Sequence, residues 1–134
     1  MGSFNIDWGS WAAAQIGAAA WTDDTLATAN TDTGAAISLD EKQAVQISIK
    51  VVYHASSTAA VTVYVLRDTD GTNYEAITDA PWAFTMPFTA GGTHYKTFTV
   101  DAAQASSFKV AINNAGGQTV TNTVKQRFAT GLTA

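Results

Sequence analysis

The strongest constraint on the fold lies around residue 50. Val45, Ile47, Ile49, Val51 and Tyr53 are apolar at every second position, with Gln46, Ser48, Lys50 and His54 between them. Side chains of a strand point alternately to two faces, so this pattern describes a long strand with one face in a core and the other in water. The alternation returns at Val61, Val63 and Val65, at Phe98 and Val100, and at Phe108, Val110 and Ile112. It appears once more at Val120, Val124 and Phe128, opposed by Thr119, Thr121, Thr123, Lys125 and Arg127. A shorter strand is expected near 83–88, in the stretch punctuated by Pro81 and Pro87. Turn formers separate these runs: Ser56-Ser57-Thr58, Asp68 through Asn73 around Gly71, Gly91-Gly92, and residues 113–117. Asp-Gly and Asn tolerate positive φ, which tight turns demand. Asp101 and Gln104 have the spacing of a capping box, so a single helical turn is expected there. No segment carries a helix long enough for a parallel crossover. The expectation is therefore an all-β chain, an antiparallel β-sandwich or jelly-roll-like fold of seven or eight strands.

Residues 1–36 read differently. They hold three of the four tryptophans, Trp8, Trp11 and Trp21, an alanine-rich middle, and the polar stretch TANTDTG. Ser10 is placed to cap a short helix over 11–20, since alanine is the best helix former. The apolar spacing fits an extended arm equally well. The division expected is an N-terminal arm over 1–36, extended or partly helical, and a sandwich domain over 37–134. A sandwich core already filled by the later residues leaves the three indoles to bury against a neighbour. Trp8, Trp11 and Trp21 are therefore the expected inter-subunit contacts, because tryptophan is a favoured interface anchor.

Composition narrows the function. At 134 residues the chain is long enough for one domain with its own core. It has no cysteine, which excludes disulfides, thiolate metal sites and a cysteine nucleophile. Only 13% of residues are charged, about half the usual share. Four acids fall within residues 1–36 and the other seven balance the seven bases. With a net charge of −4 and no basic stripe, nucleic acid is not an expected partner. The run 12–20 is too short and too weakly apolar to span a membrane, and with no basic residue before it no secretory leader is expected.

The chain offers little for catalysis. His54 and His94 lie at strand ends, outside any metal-binding spacing, and no GxSxG elbow is present. Asp68, Asp70, Asn73 and Glu75 alternate around Gly71 as calcium ligands would, but the glycine comes too early and no glutamate closes a twelve-residue loop. A turn whose Asp and Asn satisfy their own backbone is the expectation, with no metal and no cofactor. The acid pairs Asp23-Asp24 and Asp40-Glu41 are neighbours in turns, not a catalytic pair across a cleft. Trp82 and Tyr74, with Phe84 and Tyr95 nearby in sequence, are the aromatics that would line a sugar platform if one exists; core or edge packing is the competing expectation.

Two stretches, VTVYVLRDTDGTNYE (61–75) and FTVDAAQASSFKVAINNAGGQTVTNTVKQR (98–127), resemble small structural proteins of tailed bacteriophages. The likeness lies in a strand followed by a DGTNYE turn (70–75), a TFTVD strand end (97–101), and an SSFKVAI strand (106–112) leading to a polar last strand that ends at Arg127. Residues 1–36 fall outside it. The resemblance implies a non-enzymatic virion protein with a β-sandwich fold, assembled in the host bacterial cytoplasm. A capsid decoration (cement) protein is the first expectation and a tail component the second, with the major capsid protein and further copies of the chain as partners. A carbohydrate-binding module facing a surface glycan is the alternative.

Overall fold

The computed structural model describes residues 5–133. Thirteen strands are present: β1 (Asn5–Trp8), β2 (Ala12–Ala13), β3 (Gln15–Ile16), β4 (Ala19–Ala20), β5 (Asp24–Leu26), β6 (Asn30–Thr33), β7 (Ile37–Ser38), β8 (Ala44–Val52), β9 (Thr62–Arg67), β10 (Trp82–Thr85), β11 (Thr93–Asp101), β12 (Ser107–Asn114) and β13 (Val120–Thr133). A single 3-10 turn spans Ile77–Asp79. All pairings are antiparallel. The front sheet runs β11, β8, β13, and then one edge shared end to end by β1, β2 and β5. The back sheet runs β10, β9, β12, and then an edge shared by β6 and β7. Eight strand positions result, four in each sheet. Successive positions alternate between the sheets except β9 and β10, which are neighbours in the back sheet, and this is the order of a jelly roll. The small hairpin β3–β4 stands apart from both sheets, turning at Gly17 with φ +60°.

The alternation read from the sequence sets the faces. Val45, Ile47, Ile49, Val51 and Tyr53 point inward and are buried, as do Val63, Val65, Phe108, Val110, Ile112, Val120 and Val124. Tyr53 brings a hydroxyl into this core, and it accepts a hydrogen bond from the Val61 N–H at 3.2 Å. Burial raises the Tyr53 pKa above its ordinary value. At Asp101 the capping-box bonds expected from the sequence form, around a hydrogen-bonded turn that is not a helix. The Asp101 carboxylate accepts the N–H groups of Ala103 and Gln104 at 3.0 and 3.1 Å, and the Gln104 side chain accepts the Asp101 N–H at 3.0 Å. Asn114 locks the turn before β13: its Nδ2 donates to Leu26 O and Gln118 O, and its Oδ1 accepts the Gly116 N–H.

The division at residue 36 requires a correction. Most of residues 5–36 lie along the two sheets, with the β3–β4 hairpin outside both. β1, β2 and β5 pair with β13, and β6 pairs with β12. The run 11–20 is extended, not helical. The reason is tertiary: the fourteen-residue β13 is long enough to offer three successive pairing sites, and bonds such as Ala14 N–H to Val124 O at 2.9 Å satisfy a backbone that a short isolated helix would stabilise only weakly. Trp21 is corrected with it. It is 1% exposed and belongs to the core of its own chain, so it is not an inter-subunit contact. Gly34 makes the space, since a Cβ there would lie 2.6 Å from the Trp21 ring.

Between β5 and β6 the chain crosses from the front sheet to the back, and Asp24 and Asp32 face each other across that crossing. Burial first, then a hydrogen bond with Asp24 and the charge of Asp24, push the Asp32 pKa up to about 7. An unfolded aspartate titrates near 3.9, so the folded chain holds a proton that the unfolded chain releases. Stability contributed by this proton is present at low pH and falls as pH rises from about 4 to about 7. Asp32→Asn is expected to flatten that slope and to stabilise the protein at pH 8 by about 1–2 kcal/mol, a value reduced for the water that reaches this carboxyl. Urea unfolding of both proteins at pH 5 and pH 8 checks it; equal losses between the two pH values would remove the Asp24–Asp32 account.

Candidate interaction site

Strand β13 carries two kinds of residue on its two faces. Even positions point into the sandwich, and Thr121, Thr123, Lys125 and Arg127 point outward, paired across to Val52, Lys50, Ser48 and Gln46 of β8. The outer face of the front sheet is therefore set by these two strands, with Tyr95, Thr97 and Thr99 of β11 beyond them. At the far edge the register of β1 shifts between Asp7 and Trp8, so that Trp8 stands opposite Ala129. Such bulges re-aim a side chain. Carrying the β2 register back one residue sets Trp11 opposite Arg127.

The result is a ladder. The Arg127 guanidinium lies 4.8 Å from the ring centre of Trp8 and 4.8 Å from that of Trp11. Its Nε donates to Gln46 Oε1 at 2.6 Å, which fixes the plane of the fork. Guanidinium stacks well on indole because it is flat and weakly hydrated. Trp11 is 40% exposed, and the neighbouring Ile6 is 50% exposed. Farther along the same face an open cleft of about 330 Å³ is lined by Lys50, Lys125, Ser48, Thr123, Tyr95 and the 22–23 segment. Tyr95 is 66% exposed, the most exposed of the large aromatics among the described residues. Lys50, Lys125 and Arg127 place three of the chain's seven bases on one face of an acidic protein.

Tyr74 and Trp82, the aromatics that a sugar platform would use, do not share a face. Tyr74 lies on the outer side of the back sheet, its hydroxyl 2.8 Å from Ser107 Oγ and its ring 4.6 Å below Lys109 Nζ. Trp82 points to the inner side of the same sheet's edge and meets Phe98 edge-on at 5.7 Å, while Phe84 meets Phe98 at 5.2 Å. The two named aromatics thus occupy opposite faces, and Trp82, 38% exposed, closes the open side of the sandwich.

The Asp68 loop behaves as a turn. Asp68 Oδ1 accepts the N–H groups of Asp70 and Gly71, and Asp70 Oδ1 accepts those of Thr72 and Asn73. Asp70 Oδ2 accepts from the Asn73 side chain at 2.7 Å, and the Asn73 contacts hold the Asp70 pKa below its ordinary value. Glu75 pairs with Arg67 at 3.1 Å and is likewise lowered, chiefly by that hydrogen bond. His54 Nδ1 accepts the Ser56 N–H, and His94 Nε2 meets Thr89 Oγ1 at 3.1 Å, so both histidines serve local turns. Among the described residues no three His, Asp or Glu side chains gather as a metal site would require.

Arg127 is the residue that sequence reasoning under-used. It stood out as the basic end of a polar last strand, but the link to Trp8 and Trp11 spans more than a hundred residues and appears only once β1, β2 and β13 lie side by side.

No family model matches the chain. No curated protein matches it. Among solved structures it is similar to a Bacillus endospore appendage pilus protein, with 14% identity and a TM-score of 0.47 over 97% of this chain and 93% of that one. It is also similar to a carbohydrate-binding module of Cellvibrio mixtus lichenase 5A in complex with cellotriose, with 12% identity and a TM-score of 0.44 over 87% of this chain and 95% of that one. A Cowpea mosaic virus empty-particle chain gives 16% identity and a TM-score of 0.43, over 69% of this chain and 57% of that one. A 4-O-methyl-alpha-glucuronidase gives 7% identity and a TM-score of 0.44, and there the chain covers 75% of itself but spans 14% of the enzyme. All four TM-scores lie below 0.5, so the sandwich assignment rests on the strand pairing of this chain itself.

Proposed function

We propose that this chain is a non-enzymatic structural protein of a tailed-phage particle, in the first place a capsid decoration protein, and that it docks on a neighbouring subunit through the outer face of its front sheet. The observation that carries the docking face is the Trp8–Arg127–Trp11 ladder. Tryptophan and arginine dominate the energetics of protein interfaces, and here they already stack on one another with Arg127 bonded to Gln46, an arrangement that lowers the ordering cost of binding. The phage setting comes from the resemblance of the 61–75 and 98–127 stretches, and with it the major capsid protein as partner and the virion as location. A decoration protein gains avidity from many copies on a symmetric shell, so one modest anchor per copy is sufficient.

The test is co-sedimentation with capsids stripped of accessory proteins, with tails and an insoluble polysaccharide as parallel baits. Saturable binding to capsids is expected, at a fixed ratio to the shell protein. Arg127→Ala and the Trp8→Ala/Trp11→Ala double variant are expected to weaken it about 30-fold or more, the loss typical of a hot-spot anchor of 2 kcal/mol. Undiminished binding by both variants would remove the ladder from the interface. Binding to tails alone would make the chain a tail component. Binding to polysaccharide alone would move the site to the Tyr95–Lys50–Lys125 cleft and the function to glycan recognition.

A further inference from the structure

Strand β11 is the outer strand of the front sheet and, among the described residues, pairs on one side alone, with β8. Two backbone bonds fix the phase of that ladder. Tyr53 N–H donates to Gly92 O at 2.9 Å at one end, and Ala102 N–H donates to Gln43 O at 2.9 Å at the other. Antiparallel pairs alternate between bonded and non-bonded, so the even residues of β11 bond to β8. The N–H and C=O groups of Thr93, Tyr95, Thr97 and Thr99 consequently point away from the sheet. Folded proteins blunt such edges with outward charges, prolines or bulges. This one has no proline and no bulge, its register with β8 being unbroken over nine residues; its charges are Lys96, turned inward over the Phe84 ring, and Asp101 at its end, and the side chains at those four positions are three threonines and a tyrosine.

We propose that β11 is an assembly edge and that its occupant is β11 of a second copy, paired antiparallel about a two-fold axis at Thr97. The chemistry of the strand favours a copy of itself. The axis sets Thr97 opposite Thr97 and Tyr95 opposite Thr99, so six N–H···O bonds form between uncharged positions and no like charges stand directly opposite. On the inner side of the sheet Lys96 then stands opposite Phe98 of the other copy, twice over. Lys96 already engages an aromatic ring within its own chain, with its Nζ 5.1 Å from the Phe84 centre. Asp101 limits the pairing, since its N–H is held by the Gln104 side chain. The product is one continuous eight-position front sheet. It leaves the Trp8–Arg127–Trp11 ladder, two and three strands away, free. This inference does not rest on the virion reading.

Sedimentation velocity of the full chain across the micromolar range tests it. The wild type is expected to reach twice the 14.0 kDa chain mass. Thr97→Pro deletes an N–H that the β8 ladder does not use, a substitution edge strands tolerate. It is expected to stay monomeric with its melting temperature nearly unchanged and to keep its binding to stripped capsids per chain. Should Thr97→Pro fail to fold, the charge variants decide. Thr97→Lys and Thr97→Glu are each expected to weaken the dimer at least tenfold, and mixing the two is expected to restore it. A wild type that stays monomeric would overturn the proposal. So would a dimer that survives Thr97→Pro, or charge variants that do not recover on mixing.

Discussion

Removal of residues 1–36 is expected to leave a chain that does not fold. The deletion takes β1, β2 and β5 from one side of β13 and β6 from one side of β12. Both strands are central in their sheets, so their freed N–H and C=O groups would face water, along most of β13 and along half of β12. It also removes Trp21 and Leu26 from the core. A large apolar side chain lost from a core costs about 3–5 kcal/mol on its own, against a whole-domain stability of about 5–15 kcal/mol. Far-UV circular dichroism and a thermal melt of residues 37–134 provide the check. A cooperative melt close to that of the full chain would mean that the first strand position is an accessory, as the sequence by itself suggested.

Trp21→Ala is expected to destabilise the full chain by about 3–5 kcal/mol, because the ring is buried and Gly34 leaves no side chain to fill the space it vacates. Trp11→Ala serves as the comparison. It is expected to change stability by less than about 1 kcal/mol, since Trp11 is 40% exposed and loses mainly one cation–π contact. Trp21→Phe separates volume from polarity. The indole Nε1 is buried without a hydrogen-bond partner, so phenylalanine removes an unsatisfied donor along with some volume and is expected to cost far less than alanine. Chemical denaturation of the three variants orders them. A Trp11→Ala loss as large as that of Trp21→Ala would mean that the exposed ladder, not the buried indole, holds the first strand position to β13.

Sequence reading was most reliable where a residue's environment is decided by its immediate neighbours. The inward line of β8 from Val45 to Tyr53, the self-satisfied Asp68 turn and the reciprocal bonds of Asp101 and Gln104 all follow from contacts within a few residues. The alternation of β13 was legible in the same way, and it sorted Val120 and Val124 from Thr121, Thr123 and Lys125. Trp8, Trp11 and Trp21 show where this ends. Their local sequence is nearly the same, aromatic residues set among alanine, glycine and polar neighbours. Two of them lie on the outside of the front sheet and the third inside it.

What the sequence determined by itself is the all-β class, the two faces of each long strand and the chemistry of the turns, because period-two patterning and turn propensity are local physics. What only the tertiary structure decided is the fate of residues 5–36, the joining of Trp8 and Trp11 through Arg127, the separation of Tyr74 from Trp82, and the bare edge of β11. Each depends on which strand lies beside which. That choice is made by the non-local pairing of a long last strand with the start of the chain, and no window of sequence contains both partners.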